Sequence, residues 1–168
     1  MTLGMSLSTF TLVHVLISLL GIASGFVVLY GLITGKSMAN WSAVFLASTV
    51  ATSATGFLFP FEKLLPSHII GILSLLVLSV AILARYGFRL APGWRSAYVI
   101  SSIVALYFNV FVLIVQMFRR IPFLKAIAPT QSEPPFFVAQ LIVLAAFVYL
   151  AIAATKRFRN QVIRPAIG

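Results

Sequence analysis

"STFTLVHVLISLLGIASGFVVLYGLI", residues 8 to 33, decides the class of this protein: it contains no Asp, Glu, Lys or Arg. A helix of that length rises about 39 Å at 1.5 Å per residue, more than the roughly 30 Å of a bilayer's hydrocarbon core. Working outward, four more charge-free apolar stretches follow: Trp41 to Pro60, Pro66 to Ala84, Ala97 to Phe118 and Pro135 to Thr155. The first stretch lacks a basic segment before it and is too long for a cleaved leader, so it is expected to remain as a span.

Composition agrees. Hydrophobic residues are 61% of the 168 and charged residues 8%, with a mean hydropathy of +1.11. Soluble domains carry roughly 25% charged residues, so water is the wrong solvent for this chain. The expected fold is all-α: a polytopic membrane helical bundle with five transmembrane helices, forming one domain over residues 1–168. No internal repeat is visible. The absence of cysteine excludes disulfides and thiolate metal sites.

The formal charge of +10 does not indicate nucleic acid. The basic residues cluster at the ends of apolar runs, as membrane topology determinants do. Lys36, Arg85, Arg89, Arg95, Lys156, Arg157, Arg159 and Arg164 fall on one side; Lys63, Arg119, Arg120 and Lys125 fall on the other. The positive-inside rule puts the larger group in the cytoplasm, with the N-terminus outside, in the cell (inner) membrane. Trp41 and Trp94 fall near the inner interface, where indoles collect.

Both acids, Glu62 and Glu133, and both histidines, His14 and His68, lie toward the outer side. Pro60 and Pro66 bracket a tight outer turn, "PFEKLLPSH", in which Glu62 stands beside Lys63. Glu133 precedes the fifth span, where a carboxylate suits the positive end of the helix dipole. Residues 121 to 129, "IPFLKAIAP", read as a short amphipathic segment lying on the outer surface. Helical spacing puts His14, Ser18, Gly21 and Gly25 on one stripe, and Ser102, Asn109 and Gln116 on another. Residues 21 to 25, "GIASG", form a small-residue packing motif.

These groups define the expected site: an outward-facing polar pocket lined by His14, His68, Asn109, Gln116 and Gln140, binding or transporting a small molecule. One alternative is b-type haem electron transfer, with His14 and His68 as ligands and Arg119 and Arg120 receiving propionates. Another is a structural or assembly subunit. The bilayer is the first partner, and a homo-oligomer or larger membrane complex the second. No cluster suits a metal, and no nucleophile-and-base arrangement marks an enzyme.

Overall fold

The computed structural model describes residues 4, 6–36, 38–59 and 66–160, and the expected all-α bundle is what forms. α1 spans Leu7–Thr34, α2 Ala39–Gly56, α3 Pro66–Ile82, α4 Trp94–Arg120, α5 Pro122–Ile127 and α6 Pro134–Asn160. A π turn, Leu83–Gly87, extends α3. No strand occurs among the described residues. Pro60, Glu62, Lys63 and Arg164 lie outside them.

Local chemistry sets the ends. Ser6 Oγ accepts the Thr9 N–H at 3.2 Å, capping α1. α1 stops at Gly35, whose φ of 75° is a left-handed conformation that glycine adopts without a Cβ penalty. α2 ends at Gly56 rather than continuing to Pro60. Phe57 and Leu58 donate three residues back, to Ala54 and Thr55, and a residue before proline, here Phe59, is disfavoured in the helical region. α6 runs past the expected Thr155 to Asn160, through Lys156 and Arg157. Charge marks where hydrocarbon must end, whereas a helix continues freely into the headgroups.

Among the described residues, four helical segments are long and apolar enough to cross a membrane: Leu7–Thr34, His68–Gly87, Trp94–Arg120 and Pro134–Phe158. This is a helical-bundle membrane protein, but by length and apolarity four such segments, not the expected five, stand among the described residues. α2 is the difference. It has 18 residues, about 27 Å of rise, and is rich in Ser and Thr. Its hydroxyls largely satisfy themselves: Ser48 Oγ donates to the Val44 carbonyl at 2.6 Å and Thr55 Oγ1 to the Ala51 carbonyl at 2.7 Å.

α2 nevertheless packs along the bundle's length. Against α1 it pairs Phe45 with Gly25, Ser48 and Thr49 with Gly21, and Thr55 with His14. Against α3 it pairs Ser53 with Ser74 and Phe57 with Gly71. α2 therefore lies between α1 and α3, antiparallel to both. α4 runs parallel to α2, since Tyr98 meets Ser42 and Asn109 meets Thr49. α6 is antiparallel to α4, pairing Phe147 with Tyr107 and Phe136 with Phe118.

The bundle thus has a histidine end, holding His14, His68, α5 and Glu133, and a basic end, holding the α1–α2 and α3–α4 connections. Its buried core centres on Phe45, Leu78, Tyr98, Val99 and Leu106. Much of α6 is uncovered, Leu141 and Ile142 being 63% and 64% exposed, as residues facing acyl chains would be.

Candidate functional site

The histidine end places the expected pocket residues in separate seams. His14 Nδ1 lies 2.8 Å from Thr55 Oγ1, and its ring meets Phe59 edge-on with centroids 5.1 Å apart. His68 is buried on α3, its ring 5.7 Å from Phe57. Phe57 meets His68 and the Gly71 position of α3, whereas Thr55 and Phe59 meet His14 of α1, so the two histidines have different neighbours at this end. Arg119 and Arg120 are exposed in the last turn of α4.

Deeper in, Asn109 Nδ2 donates to Thr49 Oγ1 at 3.1 Å. A Cβ built on Gly21 would stand 3.5 Å from that same Nδ2, so α1, α2 and α4 meet there. Gln140 donates to the Phe111 carbonyl at 3.3 Å, joining α6 to α4, while its Oε1 is buried without a partner. Gln116 is exposed. Along the stripe, Ser102 is buried, Asn109 half-buried and Gln116 exposed toward the end of α4. His14 thus joins Thr55 and Asn109 joins Thr49, two separate links between helices. Among the described residues, no three of His, Cys, Asp and Glu gather as metal ligands would.

The segment between α4 and α6 is ordered by its own contacts. α5 leaves Phe123 71% exposed, with Lys125 on another side, while Ala128 packs with Phe118 and Phe136. Gln131 Nε2 donates to the Val115 carbonyl at 2.8 Å. Glu133 turns back toward this loop instead of capping α6: it accepts from Thr130 N at 3.1 Å, Thr130 Oγ1 at 2.9 Å and Ser132 N at 3.0 Å. Partial desolvation works upward on its carboxyl, yet the hydrogen bonds from Thr130, Ser132 and its own amide hold it below the ordinary value.

A different site stands at the basic end. A cavity of about 340 Å³ is lined there by Lys36, Ser42, Arg85, Arg89, Arg95 and Tyr98, among others. Its size falls in the range of small-molecule pockets. Tyr98, fully buried, donates to Ser42 Oγ at 2.9 Å and forms one wall. The Arg85 guanidinium lies 5.3 Å from the centre of the Tyr98 ring and comes from the π turn, a local widening that re-aims side chains. Arg89 and Leu90 follow with φ of 48° and 56°, left-handed conformations that cost non-glycine residues of order 1–3 kcal/mol each. Two contacts brace this corner: Arg95 Nε donates to the Leu90 carbonyl at 2.8 Å, and Phe88 stacks on Trp94 with centroids 3.8 Å apart.

Charge counting along the sequence assigns these residues to topology alone. The only hint in the sequence is density: three arginines within eleven residues, "RYGFRLAPGWR", with neither of the chain's two acids nearby. Nothing in that spacing announces a π turn or an inward-facing Arg85.

Between the ends the helices around α1 pack closely. A Cβ on Gly25 would come within 2.5 Å of Leu106 Cδ1 and 2.9 Å of Phe45 Cε2, so α1, α2 and α4 are in direct contact at that level. Compared with known protein families, curated proteins and solved structures, the chain matches none of them.

Proposed function

We propose that this protein binds a small molecule at one end of a closed membrane bundle rather than conducting one through it. The observation that carries this reading is the basic-end cavity below a packed middle: a cavity of small-molecule size is present, and the close approach of Phe45 and Leu106 at Gly25 speaks against passage through the centre. The histidine-end groups then act chiefly as links between helices. In the static bundle the transport form of the reading has no continuous path, so binding is the activity favoured.

In this proposal α2 is a fifth crossing, since it pairs with α1 over its length and its polar groups face protein. The N-terminus lies outside and the basic end in the cytoplasm, following the Lys and Arg asymmetry. The chain has no cysteine, so single cysteines at Ser6, Ala91 and Thr130 report cleanly to an impermeant thiol reagent on intact cells. Labelling at 6 and 130 but not at 91 is expected; labelling at 91 overturns the topology.

The binding test compares small molecules extracted from purified wild type with those from Met38→Trp, which fills the cavity from its half-buried rim. A molecule retained by wild type and lost from a folded Met38→Trp supports the site. A proteoliposome ion flux that the protein raises well above empty vesicles overturns the non-conducting reading. The low burial of α6, 17% of its most apolar window, favours as a second reading a subunit whose α6 face meets another membrane protein. The mass of the complex extracted in mild detergent tests it.

A further inference from the structure

We infer that the basic-end cavity recognises a phosphate-bearing anion, either a phospholipid headgroup or a free phosphate compound, with Arg85 as its deepest contact. This rests on the reading of that cavity as the binding site and adds its chemistry.

The charge arrangement is the starting point. Lys36, Arg85, Arg89 and Arg95 all line one cavity. The chain's two carboxylate side chains are Glu62, in the connection between the opposite ends of α2 and α3, and Glu133, before α6. Among the described residues, none of the four cations is in an ion pair. Cations that merely set topology reach out to headgroups and water. Arg85 differs: although the residue is only half-buried, its Nε is buried with no hydrogen-bond partner, and its guanidinium lies near the ring of fully buried Tyr98 as well as that of Tyr86. A buried unpartnered donor is costly and is tolerated where something absent from the protein completes it.

The donor geometry selects the anion. Guanidinium groups present planar forks that match the oxygens of phosphate, and more than one such fork is available here. Arg95 is held by its bond to the Leu90 carbonyl and faces the cavity at little further entropic cost, while Arg89 is an exposed cation on the cavity lining. Basic pockets between membrane helices at the cytoplasmic side are suited to phosphate headgroups. A planar carboxylate would use one fork and leave the remaining cations repelling one another.

The experiment measures binding to the full-length protein in neutral phosphatidylcholine nanodiscs. Three probes are added separately: inorganic phosphate, water-soluble dihexanoyl phosphatidylglycerol, and the matched dihexanoyl phosphatidylcholine, whose net charge is zero. Phosphatidylglycerol is expected to bind, and Arg85→Met and Arg89→Gln each to weaken it by about ten- to a hundredfold, the usual range for a lost charge-assisted hydrogen bond. Lys156→Gln/Arg157→Gln, at the same end but outside the cavity, should change affinity by less than threefold. Binding of inorganic phosphate as well assigns recognition to phosphate alone; binding of phosphatidylglycerol without it assigns the site to a lipid headgroup. Both support the inference.

Equal binding of the neutral and anionic lipids, unaffected by Arg85→Met, overturns the inference and leaves the cavity as a site for an uncharged molecule. Equal weakening by Lys156→Gln/Arg157→Gln also overturns it, because general surface charge would then be the cause. If no probe binds and wild type retains nothing that Met38→Trp loses, the cavity is not a site and both readings fall. Melting temperatures recorded for each variant separate loss of binding from loss of fold.

Discussion

His14 and Arg85 are both half-buried polar side chains in the same bundle, and the structure treats them in opposite ways. His14 meets Thr55 on the neighbouring helix. Asn109 and Thr49 form a similar pair. Arg85 meets an aromatic face and leaves a buried donor unused. Polar groups of the first kind join helices together; a group of the second kind awaits something else. The type of residue does not distinguish the two cases, because a membrane interior penalises both. The partner inventory does.

The largest effect should come from the region both ends depend on. Gly25→Leu forces a branched side chain into a gap where a Cβ alone approaches Leu106 and Phe45 within 3 Å. Overpacking costs typically 1–3 kcal/mol and occasionally more, and the Leu106 and Phe45 side chains it would meet are fully buried in the core with little room to move, so about 3 kcal/mol or failure to fold is expected. Gly56→Ala is the control, since its Cβ would meet only His14 Cε1 at 3.9 Å. Thermal unfolding in detergent checks both. If Gly25→Leu melts with wild type, the middle is not closed and the contrast between two separate ends loses its basis.

The next effect concerns the links at the histidine end. A double-mutant cycle on Asn109→Ala and Thr49→Ala should show a coupling of about 0.6 kcal/mol and no more than about 1.7, the range found for hydrogen bonds between membrane helices. His14→Ala with Thr55→Ala should behave alike. Phosphatidylglycerol affinity at the basic end should stay unchanged in all of these variants. A large loss of binding with little loss of stability would move the functional site to the histidine end and reverse the comparison.

Arg85→Met should do the reverse, with a smaller and oppositely weighted effect on stability. Removing an unpaired buried donor relieves a cost of about 1–3 kcal/mol, while removing the contact with Tyr98 forfeits about 0.5–2 kcal/mol. The two nearly cancel, so the melting free energy without ligand should fall by no more than about 0.5 kcal/mol. A fall of 2 kcal/mol or more would show Arg85 to be structural glue after all.

How far this was legible follows from which physical constraint each feature obeys. Charge-free runs are imposed by the bilayer, so α1, α3, α4 and α6 could be read directly, and the start of α3 at Pro66 follows from proline's tolerance in a first turn. The small-residue stripe at Gly21 and Gly25 was legible because backbone approach demands small side chains. The end of α2 was not: the apolar run of Phe57, Leu58 and Phe59 continues past the last helical turn, and hydropathy does not report a change of backbone direction. Which neighbour each polar residue meets was not legible, because polar residues at one depth can face different helices, as His14 faces Thr55 and Gln140 the Phe111 carbonyl. Arg85 was missed because a π turn changes facing by a fraction of a turn and leaves no mark on composition.

The smallest effect belongs to Glu133, the one carboxylate side chain among the described residues, and it sharpens the contrast from the acidic side. Its oxygens accept from Thr130 and Ser132, which are neutral donors, so it resembles the satisfied groups of its own end and offers nothing to the cations of the other. Although desolvation works against ionisation, those hydrogen bonds keep its folded-state value below the ordinary 4.5. A group depressed on folding contributes order that is fully present above the unfolded value and is lost as pH falls through the folded one. The amide resonances of Thr130 and Ser132 should therefore hold steady from pH 7 to about 4.5 and shift together below it. Glu133→Gln should abolish that transition and leave global melting near neutral pH almost unchanged, because the loop is also tied down by Gln131 on the Val115 carbonyl and by buried Ala128. Were the transition centred above 4.5 instead, desolvation would outweigh the hydrogen bonds, and Glu133 would be an unsatisfied group of the Arg85 kind at the histidine end.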